Sequence, residues 1–136
     1  MKQETLTIDT SVKEGLLDIT QEVEAVVERA EIENGVVSLY VLAATAAVLI
    51  QEKWEDTVQR DVIQLLQNLV PQGEWLHDKQ EGNGDAHLKA SLIGQSLTVP
   101  VTSGALALLS WQKIFLCEFD GPRSQRRIVC SVIGVD

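Results

Sequence analysis

The final third of the chain alternates short strand-forming segments with short turns, and this alternation constrains the fold more than any other feature. Strands are predicted at residues 97–101, 105–109, 111–119 and 128–135. The second and third of these strands are predicted to pair with each other. Connections this short join antiparallel strands, because a parallel pair needs a crossover of about a dozen residues or more. The sequence therefore predicts an antiparallel sheet.

Two longer helices are predicted in the first half of the chain. The four residues from Asp18 match a capping box, and apolar residues recur after them at helical spacing as far as Ala30. A second helix is predicted to begin at Asp56 and to end before Pro71. Its buried face is predicted to carry Val58, Val62, Leu65, Leu66 and Leu69. Two further strands are predicted at residues 5–9 and 36–44. Helices packed on an antiparallel sheet give an α+β fold.

Residues 85–93 fit either a strand or a short helix. As a strand, the segment would place Asp85, His87 and Lys89 on one face. As a helix, it has Asp85 as its N-cap and Gly94 just after its end, and its alanine, leucine and lysine are good helix formers. We therefore predict a short helix. Its first turn would present free backbone N–H groups to the glycine-rich loop before it, and such helix ends bind anions.

The length and charge of the chain limit the classes of function. With 136 residues, the chain has the size of one domain, and we expect a single domain over residues 1–136. The net charge of −9 disfavours nonspecific binding to nucleic acid or to an anionic membrane, because both depend on Lys and Arg. No apolar run approaches the roughly 20 residues of a membrane helix, and the N-terminus lacks a signal-peptide pattern. We therefore expect a cytoplasmic protein.

The histidines mark the predicted functional site. His77 and His87 are the only two in the sequence, and both lie beside a glycine-rich stretch. Histidine often carries chemistry near neutral pH, because its unperturbed pKa lies near 6.5. His87 and Asp85 are predicted to handle a proton. The residues predicted to hold an anionic heteroaromatic ligand are Gly82, Asn83, Gly84, Lys89 and Arg123, with Trp111 as a stacking platform.

Each of these residues also has a structural interpretation that the sequence leaves open. The histidines are also typical of hydrogen-bonded side chains at a packed loop or at the surface. Asp85 is also typical of a helix cap, and Lys89 of a solvated helix position. Arg123 fits a salt bridge to Glu118 or Asp120 that anchors a turn. Trp111 fits a position in the core or at a subunit interface.

Three motifs resemble the YjbQ family, and the resemblance extends over nearly the whole chain. They are the run GNGDAHLKASL at residues 82–92, the run EFDGPR at residues 118–123, and Trp111-Gln112 before it. The family's weak activity has led to the label secondary thiamine-phosphate synthase. The resemblance implies an antiparallel β-sandwich-like core within the α+β fold, with two longer helices and a short one. It also implies a homotrimer.

The resemblance further implies a cluster of three histidines near a subunit boundary, read as a metal or anion site. Two of them map to His77 and His87, which would be the metal ligands. Ala43 stands where the family has the third histidine, and Glu52 matches a retained acid that joins the candidate catalytic residues. A catalytic zinc site usually takes three protein ligands and a water. We therefore expect a zinc-like divalent cation to bind more weakly because of Ala43.

Two functions follow from these observations. One is a weak or degenerate transferase of the thiamine-phosphate-synthase type, acting on small phosphorylated heterocycles with an incomplete histidine site. The other is a non-catalytic trimeric protein that binds a small anion or takes part in an interaction. We favour impaired or absent metal-dependent catalysis, because the methyl group of Ala43 neither binds a metal nor transfers a proton.

Overall fold

The computed structural model describes residues 1–135, and over that range it contains two antiparallel sheets and three α-helices. The strands are β1 (Lys2–Thr10), β2 (Gly15–Asp18), β3 (Gly35–Val41), β4 (Ala46–Glu52), β5 (Ser96–Thr102), β6 (Ala105–Leu106), β7 (Gln112–Glu118) and β8 (Arg123–Gly134). The helices are α1 (Thr20–Ala30), α2 (Thr57–Leu69) and α3 (Gly84–Ile93), and a 3₁₀ segment covers Leu76–Lys79. Sheet A has the order β1-β8-β3-β5-β6, and sheet B has the order β2-β7-β4. The predicted α+β fold with a sandwich-like antiparallel core is confirmed.

The larger hydrophobic core lies between the two sheets and is closed by α1. Alternate residues of β3, namely Val37, Leu39 and Val41, are fully buried in it, as the two-residue period of a strand requires. The predicted helix is confirmed, but the capping box is not, because Ile19 holds the N-cap position and has no side-chain cap hydrogen bond. The helix begins at Thr20, whose backbone N–H and hydroxyl both donate to Asp18 Oδ1. Its buried face carries Val23, Val26, Val27 and Ala30.

A second, smaller core lies on the outer face of sheet B, under α2 and α3. Ala47 of β4 and Cys117 of β7 lie in this core with Ala86 and Ala90 of α3 and Leu66 of α2. All five side chains are buried. Because four of them are small, α3 packs directly on the sheet, and this contact fixes which side of α3 faces outward.

The buried face of α2 is narrower than the sequence predicts. Leu66 is buried, but Leu65 and Leu69 are 57% and 62% exposed, so their predicted burial is wrong. Helical spacing identifies which residues share a face. It does not state how wide a stripe of that face the neighbouring sheet covers.

The predicted pairing of residues 105–109 with residues 111–119 is wrong. β6 pairs with β5 across a tight turn at Ser103 and Gly104, where both residues have positive φ. β7 lies instead in the other sheet, between β2 and β4. The chain thus crosses from sheet A to sheet B between β6 and β7, and a local strand pattern does not reveal such a crossing.

β2 and β4 are strands that the sequence does not predict. The strand predicted at residues 36–44 ends already at Val41, and β4 follows after a short turn. Ala46, Ala47 and Val48 of β4 are all buried, because both faces of sheet B are covered. A strand buried on both faces lacks alternation, so it carries no period-two signal. β2 begins at Gly15 and is only four residues long.

The short helix predicted near residues 85–93 is confirmed as α3, and the strand alternative is excluded. Asp85 is not its N-cap, because the helix begins at Gly84 and Asn83 holds the cap position. Gly94, with a φ of 97°, ends the helix as predicted. Neither α3 nor any other helix within residues 1–135 has the length and apolar character needed to cross a membrane.

Cys117 of β7 and Cys130 of β8 are free, buried thiols. Burial raises the pKa of Cys117 to about 12. Burial, together with the charge of Glu4, raises the pKa of Cys130 to about 11. Because the thiolate is the reactive form, both cysteines are unreactive at neutral pH in the folded protein.

A buried ion pair between Arg126 of β8 and Glu118 of β7 links the two sheets. The guanidinium donates to both carboxylate oxygens of Glu118, and also to Thr45 Oγ1 at 2.9 Å. The hydroxyl of Thr10 donates to Glu118 Oε1 at 2.6 Å. Burial acts to raise the pKa of Glu118, but the hydrogen bonds from Arg126 and Thr10 outweigh it, so the pKa is lowered. Glu118 therefore stays ionised and holds together β1, β7, β8 and the turn before β4.

Arg126→Met is expected to destabilise the protein by about 3–5 kcal/mol, because it leaves the buried carboxylate of Glu118 without its partner. The free energy of unfolding is measured by urea denaturation. The double variant Arg126→Met/Glu118→Leu should recover part of the loss, since it buries no lone charge. Arg60→Met, which breaks an exposed pair with Asp56, is the control and should change the stability little. Equal losses in the two single variants would contradict this account of the buried pair.

Candidate functional site

His77 and His87 lie against each other where the 3₁₀ segment meets α3. Their ring centroids are 4.6 Å apart, and the ring planes are inclined at 76°. His77 belongs to the 3₁₀ segment and His87 to the first turn of α3. Although ten residues separate them in sequence, the structure brings the two predicted histidines together within one chain.

Asp78 holds the 3₁₀ segment against the start of α3. Its Oδ2 accepts the backbone N–H of Trp75 at 3.0 Å, and its Oδ1 accepts the backbone N–H of Gly84 at 2.8 Å. These hydrogen bonds lower the pKa of Asp78. The indole N–H of Trp75 donates to the carbonyl of Pro71 at 2.7 Å, which ties the same segment to the end of α2. The backbone that carries His77 is therefore positioned by several hydrogen bonds.

Glu81 is the third member of the histidine group. One ligand atom from each of His77, Glu81 and His87 lies within 4.8 Å of the other two. Glu81 is not among the residues predicted from the sequence. Its spacing of four residues from His77 is the signal that would find it, because residues four apart share a face in helical structure.

The three residues could hold a divalent cation such as Zn²⁺. Ligand atoms 2.0–2.2 Å from a tetrahedral zinc lie about 3.4 Å from one another. His77 Nε2 and Glu81 Oε2 are 3.5 Å apart. The Nε2 atoms of both imidazoles are buried and have no hydrogen-bond partner. A buried polar atom without a partner is costly, and a bound cation would satisfy both nitrogens.

Asp85 and Lys89 are joined to each other and not to His87. Lys89 Nζ lies 2.9 Å from Asp85 Oδ2 and 3.0 Å from Glu14 Oε1, and the Lys89 side chain is 1% exposed. Residues 85 and 89 share a helix face, whereas residue 87 is turned by about 200° from residue 85. The structure therefore places Asp85, the predicted proton-handling partner of His87, and Lys89, a predicted anion ligand, on another side of α3.

Two carboxylates, Asp78 and Asp120, accept hydrogen bonds from the glycine-rich loop at residues 82–84. Asn83 Nδ2 donates to Asp120 Oδ2 at 2.8 Å, and Arg123 Nη2 donates to the same oxygen at 2.8 Å. Lys13 Nζ pairs with Asp120 Oδ1 at 2.6 Å. Burial acts to raise the pKa of Asp120, but these three hydrogen bonds outweigh it and lower the pKa to about 2. Arg123 thus forms a salt bridge with Asp120 that anchors the turn, which is the structural alternative named for it above. The backbone N–H of Gly84 already donates to Asp78. Gly82 is exposed.

Trp111, Glu52 and Ala43 lie outside the histidine group. Glu52 is the exposed last residue of β4 and lies opposite Gln112, the neighbour of Trp111. Trp111 is half exposed, and its carbonyl accepts the backbone N–H of Lys53. Ala43 packs against the core between the sheets. Within the described chain, none of the three belongs to the cluster formed by His77, Glu81 and His87.

Nearly the whole chain is similar to proteins of one family. Residues 4–135 match the family described as UPF0047 protein YjbQ-like. A UPF0047 protein from Archaeoglobus fulgidus is 44% identical over 125 residues, which are 91% of this chain and 96% of that protein. The UPF0047 protein YugU from Bacillus subtilis is 38% identical over 121 residues, which are 89% of this chain and 92% of that protein.

Solved structures share the fold. A crystal structure from Sulfolobus solfataricus P2, described as a YbjQ-like protein of unknown function, matches with a TM-score of 0.93 and 33% identity over 98% of this chain and 97% of that one. The structure of a hypothetical protein from Aeropyrum pernix K1 matches with a TM-score of 0.92 and 33% identity over 99% and 100% of the two chains. The likeness therefore includes both the sequence and the arrangement of sheets and helices.

Gly84→Ala is expected to destabilise the protein by about 1–3 kcal/mol, as overpacking of a tight contact does. A Cβ at this position would lie 2.7 Å from Trp75 Cβ and 3.0 Å from Asp78 Oδ1. The 3₁₀ segment must then move away from α3, and His77 moves away from His87. Urea denaturation measures the first effect, and the nuclear Overhauser effect between the two imidazole rings measures the second. Gly82→Ala, whose added Cβ meets open space, should keep the ring contact, although the φ of 70° at this position makes the substitution costly in stability as well. An unchanged ring contact in Gly84→Ala would refute this reasoning.

Proposed function

Because the chain belongs to the UPF0047 family of YjbQ-like proteins, we propose that its function depends on a zinc-like divalent cation held by His77, Glu81 and His87. The proposal is carried by one observation: two adjacent imidazoles each have a buried Nε2 without a partner, beside a carboxylate. Two imidazoles and a carboxylate are a common donor set for catalytic zinc. Glu81 supplies a third ligand even though Ala43 replaces the family histidine.

The charge around the loop favours a cation over an anion at this site. Asp78 and Asp120, which both keep lowered pKa values, lie next to the glycine-rich loop. Lys89 and Arg123, the predicted anion ligands, are already paired with carboxylates. A metal that keeps an open position can still accept an oxygen of a phosphorylated ligand, and it polarises that oxygen or activates a bound water.

The family resemblance suggests the substrate class. Weak transfer activity of the thiamine-phosphate-synthase type, on small phosphorylated heterocycles, would in this proposal require the cation at His77, Glu81 and His87. The residues of the chain would hold the cation and orient the ligand beside α3. The alternative, a non-catalytic protein that binds a small anion, requires cationic side chains free to face the loop. Lys89 and Arg123 do not favour it, because both are engaged in ion pairs.

Isothermal titration of the chelator-treated chain with Zn²⁺ is expected to show one ion bound per chain. His77→Ala, His87→Ala and Glu81→Gln should each weaken binding by more than about tenfold, because loss of even an outer hydrogen-bond partner of a metal ligand costs roughly 10- to 100-fold. Affinity should also fall as the pH falls, since protons compete for the ligands. Glu74→Gln is the matched control: Glu74 is exposed near the 3₁₀ segment and lies outside the cluster. Equal affinities in all four variants would rule out the cluster as the site.

A thermal-shift comparison separates the two candidate functions. Zn²⁺ should raise the melting temperature of the wild-type chain and not that of His87→Ala, because a ligand stabilises the state that binds it. Inorganic phosphate alone should leave the melting temperature of the metal-free chain unchanged. Stabilisation by phosphate without metal, retained in His87→Ala, would instead favour the anion-binding alternative.

We also propose that the chain assembles with copies of itself through the outer face of sheet A. On that face β3 and β5 carry no charged residue, and β8 carries none from Val129 to Ile133, although 23% of the chain is charged; Arg127, further along the same face of β8, is charged. The uncharged residues include Val36, Ser38, Tyr40, Thr98, Pro100, Val129, Ser131 and Ile133. Tyr40 and Ile133 are 52% and 44% exposed. α2 and α3 cover sheet B instead. Exposed apolar patches of this kind mark interaction sites, and the family resemblance suggests a trimer.

Tyr40→Glu is expected to dissociate the assembly, because it places a negative charge between the uncharged residues Ser96 and Val129. Size-exclusion chromatography with light scattering should show the wild-type mass at about three times 15.0 kDa and the variant at the mass of a single chain. Tyr40→Phe, which keeps the ring, should leave the mass unchanged. A wild-type chain that elutes as a monomer at every concentration would disprove the assembly.

A further inference from the structure

A groove separate from the histidine group runs between β2 and α2. Its volume is about 590 Å³, and it extends along α2 from Asp56 to Gln67, a distance of roughly 16 Å at 1.5 Å per residue. Its apolar walls include Leu16, Leu17 and Ile63. We refer to it as the β2–α2 groove. Its shape and lining suit a short aliphatic chain.

Two residues that line this groove each have a buried acceptor oxygen without a partner. Gln59 is 9% exposed, and its Nε2 donates to the carbonyl of Glu52 at 2.5 Å. That bond fixes the orientation of the amide, so Oε1 is directed elsewhere, and it is buried without a donor. The Glu14 side chain is 10% exposed; its Oε1 accepts from Lys89, while its Oε2 is buried without a donor. Both residues line the β2–α2 groove.

Glu14, which lines the groove, belongs to a group of three charges that do not balance. Lys89 carries one positive charge and lies between Asp85 and Glu14, which carry one negative charge each. These three almost fully buried side chains therefore carry one negative charge in excess. Arg60, which also lines the groove, is already paired with Asp56. A buried negative charge is costly unless a further cation compensates it.

We propose that the β2–α2 groove binds a small linear aliphatic amine in its ammonium form. An ammonium group has N–H donors and no acceptor, which is the complement of two orphaned acceptor oxygens. Its positive charge compensates the excess carboxylate of Glu14, and its alkyl chain lies along Leu16, Leu17 and Ile63. The net charge of −9 favours the approach of such a cation from solution. This binding does not involve the histidine group, so it stands or falls independently of the metal.

The test is an NMR titration of the full chain, labelled at its leucine and isoleucine methyl groups, in a buffer that contains a chelator. The added ligands are n-butylammonium and 1,4-diaminobutane. Both amines should cause saturable shifts at Leu16, Leu17 and Ile63 in the millimolar range expected for ligands of this size. n-Butanol, which has the same chain without the charge, should not. Saturable shifts confined to other methyl groups, or equal effects of n-butanol, would overturn the proposal and leave a groove occupied by water.

Substitutions at the two orphaned acceptors decide which atoms bind the amine. Glu14→Gln should weaken binding by about tenfold or more, as loss of a hydrogen bond to a charged group does. Gln59→Met keeps the length of the side chain and the Lys89 ion pairs, but it removes Oε1 together with the Nε2 donor to the Glu52 carbonyl, so its folding is checked first. It tests the groove even where Glu14→Gln folds poorly, and it should weaken binding by about twofold to tenfold. Glu24→Gln, an exposed position in α1, is the matched control and should bind as the wild type does. Wild-type affinity in Gln59→Met together with wild-type affinity in a folded Glu14→Gln would refute the proposal.

Discussion

The burial of β7 on both faces is the constraint on which the rest of the molecule depends. Ile114 and Leu116 face the core between the sheets, while Cys117 and the following Phe119 lie in the core beneath α2 and α3. Burial of apolar surface is the dominant favourable contribution to folding, and this one strand contributes to both cores. If sheet B slid against sheet A or separated from the helices, one of the two hydrophobic cores would be exposed to water. The helix that carries His87 takes its position from this strand.

The orientation of α3 about its own axis determines which side chains lie together on each of its sides. Ala86 and Ala90 face sheet B, and this contact leaves Asp85 and Lys89 on one flank and His87 on another. The first flank holds an ion pair that extends to a third charged residue of the loop before β2. The second holds an imidazole that meets the 3₁₀ segment. A single helix of ten residues thus separates a buried ionic network from the candidate metal site.

The sequence predicts the parts of the structure that repeat with a clear period. β1 and α1 each have one buried face, so alternation and helical spacing reveal them. β4 and β7 belong to the sheet that is covered on both sides, so the first is missed and the second is paired wrongly. The sequence suggests that the two histidines lie close together, because they are the only two in the chain and both are near the glycine-rich loop. The contribution of Glu81 and the pairing of Lys89 depend on how helices rotate and loops close, which no local pattern of residues encodes.

The reactivity of the two thiols can report on the order in which the two sheets unfold. Cys117 lies in sheet B and Cys130 in sheet A, and both are held protonated by burial. Alkylation of either one can proceed only when its own strand becomes exposed, because buried thiols open to reagent through local or global unfolding. Rates of modification followed separately at the two positions would show whether the layers of the domain loosen one after the other or in a single cooperative event. The protein thus carries an internal pair of reporters, one in each half of its sandwich.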